Sequence, residues 1–213
     1  MKTIKGPGLF LAQFIEQDKP RNSLEGLAAW AKGQGYMGIQ IPTWDKRVFD
    51  LDLAYESETY CEEVLGRLAD IGIAITELST HLQGQMISVH PAYERLFDLQ
   101  CPKEVRSDAV KRTIWATEEL KKAAKVSRRL GLAQHVTFSG SLAWPYFYPY
   151  PQRPEGLVEE CFAEQGRRWR PILDAFADEG VGLCFEPHPM EDIFDGDTFD
   201  AFLDGVGTHP SVA

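Results

Sequence analysis

Val181-Gly182-Leu183-Cys184-Phe185-Glu186-Pro187-His188-Pro189 sets a short apolar run against a carboxylate, an imidazole and two prolines. Introduced by Gly180 and only five residues long, the run reads as a strand covered on both faces. A carboxylate leaving the end of such a strand is partly desolvated and held on a rigid element. It therefore needs a partner, such as a metal ion, a substrate or a neighbouring side chain.

Four similar runs precede it: Ile4 to Ala12, broken by Gly6-Pro7-Gly8, then Met37 to Ile41, Ile73 to Leu78 and His135 to Phe138. Helical patterns separate them. The first is predicted to open at Asn22, with Glu25 completing a capping box, and to end at Gly33 or Gly35. The second runs from about Ser57 to Gly72, and the third from Lys103 or Ser107 to Leu130, closed by Gly131. The fourth extends from Leu157 to Gly180 with Pro171 inside it, which predicts a kink or a split, and a fifth begins near Thr198.

Strand and helix alternating five times imply a parallel sheet of the α/β class, either doubly wound or a (β/α)8 TIM barrel. The barrel is favoured for two reasons. No glycine-rich dinucleotide fingerprint follows the first strand, and polar or aromatic residues sit at several strand ends instead of one switch point. A full barrel needs about 250 residues, so residues 1–213 are expected to form one TIM-barrel domain with only its first five βα units, incomplete at the C-terminus.

Composition narrows the function. With 22 Lys+Arg against 32 Asp+Glu, the net charge of −10 repels phosphate backbones and anionic lipid, so neither nucleic acid nor membrane is an expected partner. Lys121, Lys122, Lys125, Arg128 and Arg129 share a helical pattern with Glu118 and Glu119 and read as a solvated face. The four cysteines have no CxxC spacing, and no apolar run reaches the roughly 18 residues of a membrane span, which suits a reducing, cytoplasmic setting.

If the barrel holds, the loops after the strands carry the chemistry. Glu186 is the candidate metal ligand, against the plainer reading of a strand-end carboxylate paired with a lysine. His188 lies two residues on, and in an extended segment that spacing points both side chains the same way, toward metal or substrate. His81 has similar standing at the end of the third strand, whereas His135 opens the fourth strand at the opposite end and is assigned no catalysis. The aromatic, proline-rich stretch Leu142–Pro151 can stack on a sugar ring, form a lid, dock a second subunit of a homo-oligomer or simply pack on the protein; Trp144 is its candidate pocket wall. Glu191, Asp192, Asp195 and Asp197 read first as turn and helix-cap chemistry.

Glu77-Leu78-Ser79-Thr80-His81, Phe185-Glu186-Pro187-His188-Pro189 and Arg168-Trp169-Arg170-Pro171-Ile172-Leu173 together resemble the sugar phosphate isomerase/epimerase superfamily, the xylose isomerase-like TIM barrels. That resemblance implies a divalent ion (Mn, Zn, Mg or Co) bound by the strand-five glutamate, matched by Glu186, together with an Asp, a His and a Glu from strands six to eight that have no counterpart in residues 1–213. It implies an isomerase or epimerase of a sugar, polyol or sugar phosphate, with proton transfer beside a metal-polarised carbonyl and Glu186 as one acid/base group. His81, His188 and Trp144 would line the pocket, and Glu191 lies near the position of a further sugar-holding glutamate. Two other readings stay open: a zinc phosphodiesterase of the apurinic-site endonuclease type, disfavoured by five histidines and an acidic balance, and a non-catalytic interaction domain.

Overall fold

A computed structural model describes residues 5–148 and 152–212. The strands are β1 (Gly8–Phe10), β2 (Gly38–Pro42), β3 (Ala74–Ser79), β4 (Gln134–Thr137) and β5 (Gly182–Phe185). The helices are α1 (Leu24–Gly33), α2 (Leu51–Glu56), α3 (Glu58–Ile71), α4 (His81–Gln85), α5 (Glu94–Phe97), α6 (Ala109–Arg129), α7 (Leu157–Glu179) and α8 (Gly196–Val206). The five strands are ordered β1-β2-β3-β4-β5 in one sheet, and the registered pairs from β1 to β4 are parallel. This order never reverses, so the sheet has no switch point of the doubly wound kind; it follows the sequential winding of a (β/α)8 barrel.

The chain packs as two compact units, one made of Met1–Thr80, Lys122–Val136 and Glu179–Val181, the other of His81–Lys121, Thr137–Asp178 and Gly182–Ala213. In the first, Ile39, Ile41 and Leu78 from the strands meet Leu27, Ala28 and Ala31 of α1 and Val64 of α3, all fully buried. In the second, the buried face of α7 carries Trp169, Ile172, Leu173 and Phe176 at 0% exposure. Its rings continue into β5 and α8: Trp169 and Phe185 lie 4.8 Å apart and Phe185 and Phe202 4.7 Å apart.

Local chemistry explains the element ends. Ser57 caps α3, its hydroxyl accepting from the Tyr60 N–H at 3.2 Å, and Gly72 closes it in the left-handed conformation. At α1 the cap is Ser23 and not Asn22; its hydroxyl accepts from Gly26 N–H, while the Asn22 side chain donates backward to the Gln17 carbonyl. Pro171 neither splits nor ends α7, which is continuous over 23 residues. The large apolar face that α7 buries outweighs the one backbone bond the proline removes. α6 starts at Ala109, later than expected, after a short turn at Lys103–Val105. Ile4 and residues 149–151 of the aromatic stretch lie outside the described residues. No helix among the described residues is long and apolar enough to cross a membrane.

Candidate functional site

Glu186 leaves the end of β5 with its backbone N–H donating to the Thr137 carbonyl at 3.0 Å and its side chain 44% exposed. His81, the first residue of α4, is 3% exposed, and its Nε2 lies 2.9 Å from Glu186 Oε2. Burial holds the His81 ring below its ordinary pKa, an effect only partly offset by the neighbouring Glu186 charge, so the ring is neutral near pH 7. A carboxylate can only accept, so the neutral ring donates its Nε2–H to Glu186. The pair is thus a carboxylate oriented by a buried, neutral imidazole.

Gly84 makes this geometry possible. A Cβ there would stand 2.1 Å from Thr137 Oγ1 and 2.4 Å from the Phe138 carbonyl, so only glycine lets α4 press against the end of β4. Phe138 joins the group, with its ring centroid 4.4 Å from His81 and 4.9 Å from His188. In the sequence Phe138 is only the end of an apolar run, and nothing there places it between two imidazoles. His188 is exposed, and its Nδ1–H donates to the Pro189 carbonyl at 2.7 Å. That bond fixes the tautomer and leaves Nε2 as an acceptor.

His81, Glu186 and His188 therefore share one cluster; Trp144 and Glu191 belong to another. Glu191 is 2% exposed and accepts from Gly140 N–H at 2.7 Å and from the Ser139 hydroxyl at 3.4 Å. Trp144 is half-buried, its ring packed edge-on against Phe194 at 5.4 Å and Phe147 at 6.2 Å. Between them sits Asp192, fully buried and not the turn residue that its acidic neighbourhood in the sequence suggests. Asp195 does behave that way, capping α8 in a box with Thr198. His135 is held between Thr80 and Ser127 at 2.9 and 3.0 Å, a buried structural contact.

Burial raises the Glu191 carboxyl to about 8. Its folded value lies above the unfolded one, so its contribution to stability is complete below about pH 4.5 and is lost as pH rises through about 8. Thermal melts should show this alkaline loss, and Glu191→Gln, which cannot ionise, should flatten it.

As a metal centre the cluster is partial. Glu186 offers a carboxylate oxygen, and neutral imidazoles suit borderline ions such as Zn or Mn, yet no group of three His, Cys, Asp or Glu able to hold an ion occurs among the described residues. Glu186 would be one ligand among several, since a divalent ion needs more donors than these side chains supply.

Residues 28–213 match the family described as xylose isomerase-like TIM barrel. The chain belongs to that family. No curated protein matches it by sequence. Solved structures of the same fold include a xylose isomerase-like TIM barrel protein from Mycobacterium smegmatis in complex with magnesium, at 14% identity and TM-score 0.62, covering 97% of this chain and 62% of that one. The probable 3-DHS dehydratase AsbF of Bacillus anthracis matches at 20% identity and TM-score 0.60, covering 96% and 60%. D-allulose 3-epimerase from Methylomonas sp. in complex with D-allulose matches at 19% identity and TM-score 0.56, covering 99% and 62%. This member of the xylose isomerase-like family thus spans about three-fifths of the length of those structures, and the shared feature at such identities is the fold.

Proposed function

We propose that this chain carries the strand-five acid/base group of a sugar isomerase or epimerase, with Glu186 as the proton-transferring residue. One observation carries the reading: a half-exposed carboxylate at the C-terminal end of β5, oriented by the Nε2–H of buried His81. In a barrel of this family that end of the strands is where substrates are processed. The sugar-bound epimerase among its structural neighbours supports a carbohydrate substrate, and the magnesium-bound one supports a divalent ion.

In this reading Glu186 takes the proton from the carbon beside the sugar carbonyl. For isomerisation it returns that proton to the neighbouring carbon while the hydroxyl proton moves to the former carbonyl oxygen, and for epimerisation a second acid on the opposite face supplies the returning proton. His81 holds Oε2, which leaves Oε1 for the transfer, and exposed His188 offers Nε2 as an acceptor for a substrate hydroxyl. A divalent ion with Glu186 among its ligands would supply Lewis-acid polarisation of the carbonyl. Trp144 would wall the pocket. The acidic balance of the chain speaks against the phosphodiesterase alternative, whose substrate is a polyanion.

The test is to incubate the chain with a ketohexose and Mn²⁺ in heavy water, following sugar binding by NMR and deuterium entry next to the carbonyl. Saturable binding with deuterium entry above the protein-free control is expected. Neither binding nor exchange would overturn the reading.

A further inference from the structure

Five backbone or side-chain amides converge on two adjacent buried carboxyls that the proposed chemistry does not use. Asp192 accepts from the N–H groups of Leu142 at 2.7 Å, Ala143 at 2.9 Å and Trp144 at 2.8 Å, and from Gln165 Nε2 at 2.8 Å. Glu191 accepts from Gly140 N–H. The strap closes in the other direction as well: Asp192 N–H donates to the Gly140 carbonyl at 2.8 Å and Ile193 N–H to the Ser139 hydroxyl at 3.1 Å. Gly140 is itself obligatory, at φ 87° with a would-be Cβ 2.7 Å from the Ser88 carbonyl.

Two carboxylates this close and this dry do not both ionise. Burial pushes both upward, but Asp192 has four N–H donors that favour its charged form, whereas Glu191 has the Gly140 N–H, a long hydroxyl contact to Ser139 and a weaker contact with the Ser139 backbone. The proton therefore rests on Glu191. The other titratable groups nearby cannot take the charge: the Cys161 thiol on α7 is pushed to about 11 by burial and by Asp192, and Glu160 beside it is a further acid. No lysine or arginine among the described residues forms an ion pair with either carboxyl.

We propose that Glu191 and Asp192 form a proton-gated latch, neutral Glu191 beside ionised Asp192, that ties the loop after β4 to the loop after β5 and so fixes Trp144 relative to Glu186 and His188. Asp192 is a positioning residue in this arrangement. When Glu191 ionises, two like charges share one dry site and the strap loosens, freeing the aromatic loop. The device stands on this hydrogen-bond geometry and does not require the sugar chemistry.

Amide NMR and hydrogen exchange on the full chain test it without any ligand. In the wild type, the amides of Gly140, Leu142, Ala143 and Trp144 should be protected and lose protection together as pH rises through about 8. Glu191→Gln should keep the protection at neutral pH and abolish the alkaline transition. Asp192→Asn, which exchanges one acceptor oxygen for an NH₂ donor, should speed exchange at Leu142, Ala143 and Trp144 about tenfold or more while leaving the amides of β2 and β3 unchanged. An alkaline transition that survives in Glu191→Gln, or protection of those three amides indifferent to Asp192→Asn, would overturn the latch. If Asp192→Asn fails to fold, the Glu191→Gln result alone decides.

Discussion

Deuterium entry into a ketohexose should fall about 10²- to 10⁴-fold when Glu186 becomes glutamine, the range that removal of a general acid/base group produces. Glutamine keeps the length of the side chain and still offers a carbonyl oxygen to the His81 Nε2–H, so the 2.9 Å contact that orients the group can survive. What is lost is the capacity to accept a proton. Glu186 is 44% exposed, and its replacement should therefore change the melting temperature little. A variant that melts like the wild type but exchanges poorly locates the chemistry at this carboxylate. One that exchanges at the wild-type rate removes Glu186 from the reaction. Mn²⁺ affinity read on the same pair of proteins separates the ligand role from the proton-transfer role, because the two need not fall together.

The second large effect concerns stability. Trp169→Ala should cost about 3–5 kcal/mol through the cavity it leaves, with about 1–3 kcal/mol more from the buried acceptor it abandons. The side chain is 0% exposed, and its indole N–H donates to the Ser139 carbonyl at 2.9 Å and to Gln165 Oε1 at 3.1 Å. Since domains rarely have more than about 5–15 kcal/mol in hand, the variant is expected to unfold at much lower urea or not to fold at physiological temperature. Trp169→Phe keeps a ring against Phe185 but loses the N–H and the volume of the second ring, so its stability should fall between wild type and the alanine variant. As a surface control, Tyr148→Ala removes a ring that is 75% exposed and should stay within about 0.5 kcal/mol of wild type. Equal losses in the alanine and phenylalanine variants would mean that the hydrogen bond, and not the packing, dominates at this position.

How much of this is legible in the amino-acid order alone depends on the range of the interaction. β2 to β5 fall within a residue of their apolar runs, because burial on both faces writes itself into consecutive residues. The glycine stops at Gly72 and Gly131 are equally local, both in the left-handed conformation. α2 and α4 leave no such trace, since six and five residues are too few to display a helical period. At the site, Glu186, His81 and His188 can be named from their positions at strand ends, and the structure brings those three into one cluster. Phe138 between them cannot be, and neither can Asp192, whose partners are backbone N–H groups 48 to 50 residues earlier in the chain. Backbone donors carry no residue signature, so a carboxylate that serves them looks like any acidic turn residue.

The amide of Gln165 links these layers: its nitrogen feeds Asp192 while its oxygen receives from the Ser88 hydroxyl at 2.8 Å and from the Trp169 indole. Three distant stretches of chain thus meet on one primary amide, which must present its two ends in a single orientation. Evolutionary drift at any of these positions can then proceed only through matched replacements, and a designer grafting new loops onto this scaffold would have to transplant residues 88, 165, 169 and 192 as a set.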